Sequence, residues 1–200
     1  LKKEILDIAN RILTSEEINN IQVICQNRKN LFLGMMQIDM RIGGAGIHNI
    51  NSGNTGRYEI KDRDVFRPIQ YIYAYLKMEP GDFDWVTREI IHMSGLHLES
   101  LVKRLFSINK FPLGQALAIP LAKIKLDGHL HSNLKAIVRP YNNAKHHLEH
   151  NKDTHLFDVE SAMLYYVSVR KLSLKVMPLT HLYTSFETWD SIDNEPTELV

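Results

Sequence analysis

The side chains best suited to chemistry lie in the segment Arg139-Pro140-Tyr141-Asn142-Asn143-Ala144-Lys145-His146-His147-Leu148-Glu149-His150. If the chain is helical from Pro140 onward, each residue turns it by about 100°. Asn142 then stands about 60° to one side of Arg139, Asn143 about 40° to the other, and His146 about 20° away. His150 falls on the same stripe. A proline at the first helical position would leave Arg139 at the helix mouth, free to swing toward an anion. These parts suit attack of a ribose 2′-hydroxyl on its neighbouring phosphate. Histidine exchanges protons near neutral pH. Arginine offers a fixed bidentate charge to the phosphorane that develops. Asn142 or Asn143 supplies an orienting amide, and neither metal nor cofactor is required.

Two other readings of the same residues stay open. A stripe of Arg, Asn and His can also be the solvated face of a helix in a non-catalytic interaction or scaffold domain. Six of the ten histidines (His129, His131, His146, His147, His150 and His155) fall within one short stretch. His146 and His150 have the i,i+4 spacing of a chelating pair, with Asp127, Glu149 and Asp153 nearby, so a metal site is the third reading. Leu148-Glu149 between them does not give the His-Glu-x-x-His order of a zincin.

Elsewhere the sequence holds less chemistry. Gly43-Gly44-Ala45-Gly46 and Asn51-Ser52-Gly53-Asn54 lack the Gly-Lys-Ser/Thr ending of a phosphate loop, and 43–63 reads as a flexible connection. No Gly-x-Ser-x-Gly elbow occurs. The single cysteine, Cys25, rules out an intrachain disulfide and reads as a small core hydrophobe in a reducing, cytoplasmic setting. Lys and Arg number 24 against 23 Asp and Glu, so any polyanion site must be a local patch. No apolar run reaches the roughly 18–20 residues of a membrane span.

The elements that must position the stripe are helical by their spacing. Ile5, Ile8, Ala9 and Ile12 mark a first helix, and Thr14 with Glu16 and Glu17 opens a second through about Met40. A third begins near Asp64, and 83–107 is expected to be the longest, with His97 as a core histidine. Pro112 opens another, Pro120 divides it, and Asp127-Gly128 stops it. Asp158 caps the cleanest helix, which Pro178 ends. The expectation is an all-α bundle of six to eight helices over 1–177, with a polar extension at 178–200.

Arg139 and His146, with six residues and two asparagines between them, resemble the Arg-x(4–6)-His motif of the HEPN superfamily of helical ribonucleases. The stretch Phe157-Asp158-Val159-Glu160-Ser161-Ala162, through Tyr166 to Arg170-Lys171-Leu172, is similar to the closing helix of bacterial members. The resemblance spans roughly 80–172 in helix order, and residues 139–172 carry nearly all of it. It implies a dimer whose two motifs share a cleft and cut RNA to a cyclic phosphate, in a defence or stress system. Arg139 would steady the phosphate, His146 would handle the proton, and Asn142 or Asn143 would accompany them. The chain departs from the common pattern at Pro140, where members place a polar residue. It departs again at Leu148, where one branch has the tyrosine used for control by a nucleotidyltransferase.

Overall fold

A computed structural model describes residues 1–44, 63–146 and 157–180. Every regular element among them is helical: α1 (Lys2–Ile12), α2 (Ser15–Gln26), α3 (Leu31–Arg41), α4 (Arg63–Leu76), α5 (Phe83–Phe106), α6 (Leu113–Ala116), α7 (Pro120–Lys125), α8 (Gly128–His146) and α9 (Val159–Val176). The all-α expectation therefore holds. The seven long helices match the six to eight expected, and α6 and α7 are short pieces on either side of the break at Pro120.

Local chemistry explains most of the boundaries. Thr14 caps α2 through its hydroxyl, which accepts from the Glu17 amide, while the Glu17 carboxylate accepts from the Thr14 amide. Asp158 caps α9 by accepting from the Ser161 amide. α5 ends where Ser107 turns left-handed at φ 55°, its amide returning to the Arg104 carbonyl. The helix expected through Met40 is broken at Asn27, and a short 3-10 turn (Arg28–Asn30) precedes α3. Gly43 has φ 93°, a conformation open to glycine, and Gly44 then lies so close to Asp39 that a Cβ would overlap its carboxylate. The rest of the glycine-rich segment, 45–62, lies outside the described residues, as does 181–200 of the expected extension.

α9 is the centre of the fold. It packs against α1, α2, α3, α5 and α8, and every residue from Ser161 to Arg170 is buried. Burial is not confined to the face of Val159, Ala162, Met163, Tyr166, Val169 and Leu172, because Leu164, Tyr165, Val167 and Ser168 are buried as well. Full burial of a large apolar side chain is worth about 1.5–3 kcal/mol, so this one helix organises much of the core. Its serines satisfy themselves within the helix, Ser168 donating to the Leu164 carbonyl and Ser173 to that of Val169.

Among the described residues, Arg170 and Asp39 are an ion pair with both side chains buried. Arg170 Nε donates to Asp39 Oδ1 at 2.8 Å and a terminal nitrogen reaches Oδ2 at 3.4 Å, with both side chains buried. Beside them His97 is fully buried on α5, and its Nδ1–H donates to the Val65 carbonyl at 2.8 Å. Burial first, and the Arg170 charge second, push the His97 imidazole down to about 3.

That depression has a stability consequence. The folded state binds the His97 proton far more weakly than the unfolded chain, whose ordinary value is 6.5. The contribution is present in full above pH 6.5 and is lost as pH falls, at up to about 1.4 kcal/mol per unit. The clean window runs from 6.5 down to 4.5, where Glu17 and Glu99, both held below 4.5 by their lysine and amide partners, begin to add their own losses. Urea midpoints at pH 7.0 and 5.0 are expected to fall with pH in the wild type and to flatten in His97→Gln. An equal slope in both proteins would assign the effect to other groups.

Candidate functional site

α8 carries the candidate residues, and it differs from expectation at Pro140. The proline does not open a helix. It is buried inside a helix that began at Gly128, so Arg139 lies in mid-helix and not at a helix mouth. Proline removes one backbone bond, yet the helix runs through it because Ile137, Tyr141 and Ala144 are all buried on one side. That side packs on α5. A Cβ at Gly95 would overlap the Tyr141 ring, so glycine is needed for this close approach. His92 stacks on the same ring at 6.0 Å, and Arg88 Nε donates to the Ala144 carbonyl at 2.8 Å, satisfying one of the open carbonyls in the last turn.

Opposite that buried side, Ser132, Lys135, Arg139, Asn142 and His146 are all exposed. At 100° per residue they fall within about 80° of one another, a single stripe. Arg139 and Asn142 thus share a face with His146, the last residue of the helix. Asn143 is half-buried to one side. His150 lies outside the described residues. α1 runs antiparallel beside the stripe, with Arg11 donating to Ser132 Oγ at 3.0 Å and Glu4 pairing with Arg139 at 3.7 Å. The Arg139 side chain is 77% exposed, and a solvent-exposed pair of this kind contributes at most about 1 kcal/mol, so the guanidinium remains available to a better anion.

The histidines at the start of α8 are engaged locally. His131 Nε2–H donates to the Leu117 carbonyl at 2.7 Å, and His129 Nδ1 accepts from the Asn133 amide at 3.1 Å. Among the described residues no group of three or more His, Cys, Asp or Glu side chains is placed to hold a metal ion. His147, His150 and His155 of the histidine cluster, with Glu149 and Asp153, lie outside them. Burial, then Glu160 and Asp158, push the Cys25 thiol up to about 12, which keeps it protonated and unreactive at neutral pH.

Whole-chain charge hid one feature of this region. Between Ser100 and Leu148 the chain has eight Lys and Arg residues and one carboxylate, Asp127, although the net charge is only +1. The rest of the molecule is correspondingly acidic. Charge counted by segment points to 100–148, which includes Lys135, a residue outside the Arg-His motif.

Comparison with family models, with curated proteins and with solved structures gives no match for this chain. No helix among the described residues is long and apolar enough to cross a membrane.

Proposed function

We propose that the chain is a metal-independent endoribonuclease acting as a homodimer, of the kind used in cellular defence or stress responses. The observation that supports this reading is the shared exposed stripe of Arg139, Asn142 and His146, set in the cation-rich part of the chain. In the proposed reaction His146 takes the proton of a ribose 2′-hydroxyl and O2′ attacks the adjacent phosphorus. The P–O5′ bond then breaks, and O5′ takes a proton from the imidazolium of His146 in the second copy. The products are a 2′,3′-cyclic phosphate and a 5′-hydroxyl. Arg139 neutralises charge on the phosphorane. One stripe alone offers one imidazole, whereas two stripes related by a two-fold axis supply separate acid and base.

The test is incubation of the purified protein with a broad panel of RNAs in excess chelator, with mass analysis of the ends and sedimentation at micromolar concentration. Cleavage to cyclic phosphate ends by a dimer is expected. An intact panel would remove the ribonuclease reading. Activity lost on chelation and restored by zinc would move the assignment to the histidine cluster.

A non-catalytic interaction domain is the second reading. It is supported by the 77% exposure of the Arg139 side chain and the 3.7 Å spacing of its pair with Glu4, as on an ordinary solvated helix face.

A further inference from the structure

We propose that the exposed stripe of α8 is a track for an extended single strand of RNA, entered from the α7 end and read toward His146. The choice of RNA rests on the ribonuclease reading, but the track itself rests on charge and geometry. α8 contains Lys135, Arg139 and Lys145 and no carboxylate at all. Lys135 and Arg139 are four residues apart on the stripe, a rise of about 6 Å, comparable with the spacing of neighbouring phosphates on an extended strand. From Lys135 to His146 the stripe is about 16 Å long, enough for several nucleotides and too long for a single phosphate.

Further cations stand on the helix before α8. α7 is joined to α8 by Leu126 and Asp127 and packs against it. Lys123 on α7 is exposed, while Lys125 is committed to the Leu105 carbonyl at 3.1 Å. Ile124, 79% exposed, stands between these two lysines and offers an apolar contact for a base. At the flank, Arg11 adds a cation beside Ser132. Glu4 is the carboxylate that a phosphate must displace from Arg139. A cationic groove or stripe with sparse apolar contacts binds a strand by its backbone, with strong salt dependence and little sequence preference. An acidic lipid surface would be met by a broad apolar face, whereas the α8 stripe itself is polar throughout.

The experiment separates the track from the chemistry. Binding is measured with a fluorescent 2′-O-methyl oligouridylate of about 12 nucleotides, a length within the usual single-strand site range, whose blocked 2′-oxygen prevents cleavage. Lys135→Glu and Lys123→Glu are each expected to weaken binding about 3–10-fold at low salt, and Lys135→Gln to lower the salt slope by about 0.7. Lys29→Glu, the same charge change on the exposed 3-10 turn before α3, is expected to leave binding unchanged. Cleavage of uridylyl-adenosine is expected to be the same in Lys29→Glu as in wild type, since Lys29 lies outside the stripe and its flanks. The proposal is overturned if wild type fails to bind the oligomer, if Lys135→Glu binds normally, or if Lys29→Glu is equally impaired. Binding to phosphatidylserine vesicles without binding to the oligomer would overturn it in favour of a lipid surface. Oligomer binding with these charge effects but no cleavage of any RNA would remove the ribonuclease reading and leave the track. Dinucleotide cleavage without the charge effects would do the reverse.

Discussion

His146→Ala is expected to lower RNA cleavage by about 10²–10⁴-fold, the loss that follows removal of a general acid–base group. The thermal midpoint is expected to stay near that of the wild type. His146 is exposed at the end of α8, and substitutions at such surface positions usually change stability by no more than about 0.5 kcal/mol. Arg139→Lys is expected to be crippled too, because an ammonium cannot reproduce the planar fork on a phosphate. It keeps the charge, so oligomer binding should hardly change while turnover collapses. Asn142→Ala is expected to be milder if the amide only orients its neighbours. The interaction-domain reading forecasts that all three variants behave like wild type. Parallel measurement of turnover and melting decides between the two, since a fold defect would move both.

The second large effect concerns stability. Arg170→Ala is expected to cost about 3–5 kcal/mol, because it strands the Asp39 carboxylate in the core without its cation. For a chain of this size that corresponds to a fall in melting temperature on the order of 10 °C. The informative comparison is the double replacement Asp39→Leu with Arg170→Met. Apolar groups of similar volume often restore what a broken buried pair loses, so the double variant is expected to be more stable than Arg170→Ala. A double variant as unstable as the single one would show that the pair does more than neutralise itself. The close approach of Gly44 to Asp39 is one place where such a further role would be seen.

Caps were legible in the sequence where a side chain closes the first turn, and helical spacing where a helix is half-buried. Thr14 and Asp158 are the clearest caps, and the length of α5 followed from a buried face that continues from Val86 to Leu105, with His97 on it. Periodicity fails for α9 because from Ser161 to Arg170 it is surrounded by other helices, so a one-sided stripe undercounts its contacts. Pro140 misled for a local reason. Proline is a good start signal on propensity alone, but the burial of Ile137 and Tyr141 on either side of it holds the helix together through the missing bond. The Asp39–Arg170 pair had no sequence signal, since 131 residues separate partners that meet only in the folded core. Of the candidate site, the angular arrangement of Arg139, Asn142 and His146 survives the change of helix register because it depends on spacing alone. Lys135 was missed by counting charge over the whole chain.

The central place of α9 also has a meaning for synthesis. Its partners α1, α2, α3 and α5 are all made first, and each waits with an apolar face uncovered until residues 159–176 emerge. At about 5–20 residues per second, the interval between completing α3 and completing α9 is on the order of ten seconds. During that interval the nascent chain exposes the faces of α1, α2, α3 and α5 that α9 later covers. The keystone arrives late, so a chain cut short before Val176 is expected to leave those faces uncovered.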